Sequence, residues 1–322
     1  MHILKSLLIF VITLFFISCS SDDSTKNEVV VYVSVDQVFS SKILKQFEKE
    51  TGIKVKAVYD TEATKAIGLE KRLIAEKDSP RADLFWNSEF LRTERLAQAG
   101  VLTNIGFDKV EYAKRMGLRG RVLIVNTDLV KKEDYPTSLY DLIDSKYKNK
   151  SAICSPYFGT ASTHFAALYY QLGETKFLEF IKDLKSNNTA LLAGNSVVKD
   201  AVGHGKYSIG LVDTDDALVG IEQGLPIKMI YYDQEEEKQG MFSIYQTISM
   251  IKGAHNSDNA KVLFNYLLNP KIEKQLIEMN AIQFPLLEKN KDQSLPKLWT
   301  ISAKDVTKGL KPSIQLMRNY LE

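Results

Sequence analysis

The sequence predicts an α/β protein of two lobes joined by two crossing strands. Three observations predict it. Short β-branched, apolar runs alternate with stretches whose apolar residues recur at helical spacing, the pattern of a parallel sheet covered by helices. The chain of 322 residues is longer than one typical core. A late β-prone run, Met241–Ile251, ends in Lys252-Gly253-Ala254 and reads as a strand returning to the first lobe.

Val29–Ser34 is a β-branched run suited to a buried parallel strand, and Phe39, Ile43, Leu44 and Phe47 follow at helical spacing. Lys54–Tyr59 is a second strand, followed by a helix over Ala63–Glu76. Arg81–Trp86 is a third, followed by a helix over Phe90–Ala99. In such a lobe ligands collect at the carboxyl ends of the strands, so the functional residues are sought there. Val122–Asn126 is again a strand, and Tyr135–Asn149, with its turn residues, reads as the passage into the second lobe. That lobe is expected to hold strands at Ala152–Ser155, Tyr207–Asp213 and Ile227–Tyr231, with helices at Thr160–Leu172, Thr175–Leu184 and Ser196–His204. Helices at Ala260–Leu268 and through Met279 follow the return strand, and Ser302–Gly309 and Pro312–Leu321 are two further helical pieces.

The amino terminus bears on compartment. Lys5 precedes the apolar run Leu7–Ile17, too short to span a bilayer and suited to a signal-peptide core. Phe16-Ile17-Ser18-Cys19 resembles a bacterial lipobox, although Phe16 stands where leucine is usual. The expectation is a signal peptide over residues 1–19, lipidation of Cys19 and a polar tether over residues 20–28. Lobe 1 is then residues 29–120 and 245–295, and lobe 2 residues 121–244 and 296–322. Cys154 is the only other cysteine, so a chain cleaved at Cys19 has no intramolecular disulfide. A composition of 44% hydrophobic and 25% charged residues is that of a globular protein, and a formal charge of +2 gives no support for nucleic-acid binding. G-x-S-x-G, G-x-x-x-x-G-K-[ST], H-E-x-x-H and G-x-G-x-x-G are absent from the sequence, and Gly203-His204-Gly205 fails dinucleotide spacing, so no enzyme is expected.

Phe47-Glu48-Lys49-Glu50-Thr51-Gly52-Ile53, Arg81-Ala82-Asp83-Leu84-Phe85-Trp86-Asn87, Gly120-Arg121-Val122, Gly159-Thr160-Ala161-Ser162, Asn195-Ser196-Val197 and Lys252-Gly253-Ala254-His255 occur in an order that resembles the solute-binding proteins of ferric-iron-type ABC importers. The resemblance runs over nearly the whole chain beyond the leader. It implies a two-lobed periplasmic-binding-protein fold, type II-like, a ligand in the cleft between lobes, and importer permease subunits as partners of a monomer anchored outside the cytoplasmic membrane.

Iron binders of this family place consecutive tyrosines after the strand that here is Tyr207–Asp213; this sequence has Asp215-Asp216 there. The resemblance also points to Asp36 in the first strand-to-helix loop and to Ser88 or Glu89 after the third strand. Asp36, Glu89, Asp213, Asp215 and Asp216 can ligate a hard cation such as Fe(III) through oxygen, or accept hydrogen bonds from an amine or hydroxyls. Gly159-Thr160-Ala161-Ser162 opens a helix and exposes backbone N–H groups suited to an anion: one accompanying the metal, or the phosphoryl group of an organic solute. The plain alternative is an N-cap by Thr160 or Ser162. The full candidate ligand set is Asp36, Asn87, Glu89, Gly159, Thr160, Ala161, Ser162, Asn195, Asp213, Asp215 and Asp216, with Asp36, Glu89, Asp215 and Asp216 as ligands if the solute is a cation. Fe(III) with a partner anion is the first expectation for the solute, and a phosphate- or phosphonate-bearing organic molecule the alternative. Trp86 is either core or cleft wall, and Arg121 pairs either with a bound anion or with a hinge carboxylate. Tyr231-Tyr232 is discounted as the tyrosine pair, because neighbours on a strand face opposite sides.

Overall fold

A computed structural model describes residues 27–60, 67–106, 111–287, 295–299 and 301–322. Cys19 and most of the tether lie outside the described residues. The first half opens with β1 (Glu28–Val33), α1 (Gln37–Thr51), β2 (Lys54–Tyr59), α2 (Ile67–Ala75), β3 (Leu84–Asn87) and α3 (Phe90–Gln98). β1 pairs in parallel with both β2 and β3, as the β-branched runs require. The expected helix from Ala63 is described only from Ile67 onward.

β4 (Lys114–Asn126) is longer than expected, because it joins two groups of strands. Its first part pairs antiparallel with β9 (Met241–Met250) as far as Gly120 opposite Ser243. From Arg121 it pairs with β7 (Ile209–Asp213) and, further on, with β8 (Ile227–Ile230). β9 also pairs with β3, so β4 and β9 are the two strands that cross between the halves. The second group is completed by β5 (Ser151–Cys154), parallel to β7 and to β6 (Ala190–Leu192), a short strand the sequence reading lacked. β10 (Leu298–Trp299) adds to β9.

The remaining helices cover these strands. α4 (Gly159–Ser186) is one element with a break at Gly173, whose φ of 73° and ψ of 169° are not helical; the two expected helices are its two arms. α5 (Asn195–Gly203) follows β6, and α6 (Thr214–Glu222) follows β7 directly. α7 (Ser257–Leu267) and α8 (Pro270–Glu278) match the two expected late helices. α9 (Ala303–Leu321) runs unbroken through Pro312, where two pieces were expected. It packs along α4 and against α3.

Each half has its own apolar centre. Val31, Phe47, Trp86, Ile248 and Leu263 are buried together beneath the first strands, whereas Leu123, Phe165, Phe177, Ile181 and Leu310 form the centre beneath α4 and α9. Among the described residues no helix is long and apolar enough to cross a membrane.

Candidate functional site

The carboxyl ends of β1, β3, β5, β6 and β7 meet at one cavity of about 280 Å³, beside the crossing strand β4. Four helices begin there. Asp36 precedes α1, Phe158 precedes α4, Gly194 precedes α5 and Asp213 precedes α6, and none of the four caps its helix through a side chain. By contrast α3, α8 and α9 are capped by Glu89, Asn269 and Ser302. The first amides of an uncapped helix have no partner within it, so these N-termini present donors and the positive end of the helix dipole.

The four starts fall into two kinds. α6 carries Asp215 and Asp216 in its first turn and α1 has Asp36 at its N-cap, so carboxylates already stand at those ends. α4 and α5 have no acidic residue in the first turn. Their starts are lined by Gly159, Thr160, Ala161, Gly194, Asn195 and Ser196. A side chain built at Gly159 or Gly194 would meet nothing within 4 Å, and Gly159 has φ of +57°, so backbone faces open space there. These two helix starts suit an anion; the aspartates suit a cation or hydroxyl donors.

Two arginines from β4 organise the acids. Arg121 is fully buried and donates to Asp213 Oδ1 at 2.8 Å and to Asn195 Oδ1 at 2.9 Å. Arg119 donates to Asp215 Oδ2 at 2.7 Å and to the Ser88 carbonyl at 3.2 Å, with its Nη1 3.6 Å from Asp213 Oδ2. The Thr160 hydroxyl donates to Asp213 Oδ2 at 2.8 Å, tying the start of α4 to the end of β7. Burial alone would raise the Asp213 pKa, but Arg121 and Arg119 hold it below the usual aspartate range. Burial raises Asp215, opposed by Arg119 and reinforced by the nearby charges of Asp213 and Asp36. The Cys154 thiol, which also lines the cavity, is pushed up to about 11 by burial despite Arg121, so it is protonated at neutral pH.

A model of the family described as "Bacterial extracellular solute-binding protein" matches residues 33–274. The chain belongs to this family. A putative 2-aminoethylphosphonate-binding periplasmic protein of Salmonella typhimurium is 25% identical over 246 residues, 73% of this chain and 70% of that one. A ferric binding protein from Campylobacter jejuni superposes with a TM-score of 0.78 at 20% identity, covering 91% of this chain and 99% of that one. The periplasmic binding protein AfuA from Actinobacillus pleuropneumoniae, with exogenous fructose-6-phosphate bound, gives 0.72 at 20% identity, covering 91% and 97%. The fold is therefore the two-lobed periplasmic-binding-protein fold with two crossing hinge strands. As a family member the chain is the periplasmic solute-binding protein of an ABC importer, in a family of binding proteins rather than enzymes.

Within this solute-binding protein, Asp36, Gly159, Thr160, Ala161, Asn195, Asp213, Asp215 and Asp216 all line the cavity. Three expected residues do not. The Asn87 amide donates to the Glu89 carbonyl and to Thr93 Oγ1, and its oxygen accepts from Ser34, all in the interior. Glu89 is fully buried, caps α3 through Leu91 and Arg92, and accepts from Thr163. Ser162 is held between the Gly159 carbonyl, to which it donates, and Arg92, from which it accepts. Neither Thr160 nor Ser162 is the N-cap of α4; Phe158 is. Trp86 is core, its indole N–H donating to Gln246. Tyr232 is buried against His164 and Phe242, and neither it nor Tyr231 lines the cavity. Asp215 and Asp216 sit in the first turn of a helix, α6, that the sequence does not predict.

Arg119 is the residue sequence reading missed. The signal was present: Arg119 and Arg121 lie two apart on a strand, hence on one face, and two like charges on a buried face require acidic partners.

Proposed function

We propose that the chain captures a small organic solute bearing a phosphate or phosphonate group and a cationic or hydroxyl-rich end, and hands it to the importer's membrane subunits. The observation that carries this reading is the composition of the cavity: the uncapped, acid-free first turns of α4 and α5 and the carboxylates of Asp36, Asp215 and Asp216 line the same space. The anionic group accepts hydrogen bonds from the amides at Gly159–Ala161 and Asn195–Ser196. The other end of the solute donates to the carboxylates. The contacts come from both halves, so only the closed arrangement makes all of them and binding favours closure. The names of the Salmonella relative and of the sugar-phosphate complex support the same chemistry. In this reading the protein works as a monomer held to the membrane by lipid on Cys19, after cleavage of the signal peptide.

A second reading, Fe(III) with a partner anion, is favoured by one observation. Oxygens of Asp213, Asp215 and Asp216 lie within 4.8 Å of one another. Against it, two of these three carboxylates are already paired with Arg119 and Arg121, and the described residues lining the cavity include no tyrosine or histidine.

The test is calorimetric titration of the double variant Asp215→Ala/Asp216→Ala with 2-aminoethylphosphonate and with fructose-6-phosphate. Loss of binding by about a hundredfold or more is expected, since two charged contacts vanish, together with a lower melting temperature, since the buried Arg119 guanidinium loses its partner Asp215. Retained affinity in the folded variant would remove the pair from the site.

A further inference from the structure

We infer that Arg119 is the specificity-determining residue of this site: it is the resident counter-ion of Asp215, and solutes enter by exchanging that ion pair, which selects molecules carrying an anionic and a cationic group together. The inference rests on the cavity being the site of a phosphate- or phosphonate-bearing solute. Arg119 is 5% exposed, lines the cavity, and lies on β4 just before pairing passes from β9 to β7. Its guanidinium bridges the two halves, from the Ser88 carbonyl after β3 to Asp215 on α6. The Asp215 side chain is 9% exposed and also lines the cavity, and its Oδ1 is buried with no hydrogen-bond partner. That oxygen is an acceptor awaiting a donor. Arg121 does not share this position, because Asp213 and Asn195 hold it beneath the cavity wall.

Both terminal nitrogens of Arg119 are engaged, and its Nε is buried without a partner. An anion that binds the guanidinium as a two-pronged fork therefore competes with Asp215 and the Ser88 carbonyl for those nitrogens. A simple anion that takes Arg119 leaves a buried carboxylate uncompensated. A simple cation that takes Asp215 leaves the buried guanidinium with only its longer 3.6 Å contact to Asp213, which Arg121 already shares. Either outcome is strongly unfavourable in a desolvated site. A solute with both charges takes Arg119 with one end and Asp215 with the other, so one internal ion pair becomes two external ones and no charge is stranded.

Three probes built on the same two-carbon unit separate these cases in calorimetric titrations of the full chain: 2-aminoethylphosphonate, ethylphosphonate and ethylammonium, with Fe(III) citrate as a fourth. The wild type is expected to bind the zwitterion about a hundredfold or more tightly than either half-charged probe. In Asp215→Asn, ethylphosphonate should bind more tightly than it does to the wild type, and the preference for the zwitterion should shrink to about tenfold or less. In Arg119→Gln, ethylammonium should gain instead, while Arg119→Lys keeps part of the wild-type preference. Equal wild-type affinity for the zwitterion and ethylphosphonate would overturn the exchange while leaving the phosphonate site intact, as would an Asp215→Asn variant that loses both in parallel. Binding of Fe(III) with no response to either phosphonate would overturn the site reading itself, and the exchange with it.

Discussion

His164 lies in the second turn of α4 with its ring stacked 5.0 Å from that of Phe242 and edge-on to Trp299. Its Nδ1 is buried with no hydrogen-bond partner, and its Nε2 is 3.4 Å from the Tyr232 hydroxyl. Burial, then the charge of Arg121, lowers its pKa well below 6.5, with Asp213 opposing. The unfolded chain therefore binds this proton more readily than the folded one. Stability attributable to the neutral ring is complete above pH 6.5 and is lost as pH falls below it, at up to about 1.4 kcal/mol per pH unit. His164→Phe is expected to remove that component, so its stability should fall less steeply than the wild type's between pH 6.5 and 4.5 in denaturant melts. Parallel curves would place the acid sensitivity elsewhere.

Among the cavity-lining residues, Gly159 and Thr160 were legible as the opening of a helix, whereas Asp36, Asn195, Asp215 and Asp216 were reached through the family resemblance. Asn87 and Glu89 sit at a strand end, but their polar atoms turn inward to cap and brace α3. Position along the chain cannot distinguish a side chain that faces the cavity from one that secures the loop beside it.

At the scale of elements, β4 sets which way Arg119 faces. Its register against β9 shifts between Met116 and Leu118, where Gly117 has φ of +50°. One extra residue reverses the alternation of side chains. Arg115 accordingly stacks over Tyr245 at 4.4 Å, whereas Arg119 turns to Asp215. A bulge of this kind leaves only a glycine in the sequence. α6 was missed because Thr214–Glu222 is short and mixes the helix formers Ala217, Leu218 and Glu222 with β-branched Thr214, Val219 and Ile221 and with Gly220, although Asp213 followed by Asp215 and Asp216 has the composition of a helix start. α9 was read as two pieces because of Pro312, yet it stays continuous along α4. That packing depends on Gly309, where an added Cβ would lie 2.1 Å from the Ala166 carbonyl oxygen. Backbone cannot yield as a flexible side chain does. Gly309→Ala should cost about 1–3 kcal/mol by urea denaturation, with ligand affinity little changed, because α9 does not line the cavity. An unaltered midpoint would mean that α9 is free to shift.

For the molecule as a whole, the alternation of strands and helices made the α/β class legible, and the β-prone run Met241–Ile251 revealed the return strand. The identity of the solute was not legible, because it depends on how charges from distant segments meet. Asp36, Ser88, Arg119, Thr160 and Asp215 span much of the chain yet line one cavity. The family's iron chemistry does not transfer simply, since an arginine lies against the aspartate that stands where the iron binders have tyrosine. The central claim is that this charge arrangement holds a phosphate- or phosphonate-bearing molecule between the halves. Native mass spectrometry of the protein purified without added ligand tests it most directly. An excess mass that dissociates as a small organic molecule containing phosphorus is the expected result; an excess of one iron ion, or a solute without phosphorus, would contradict it.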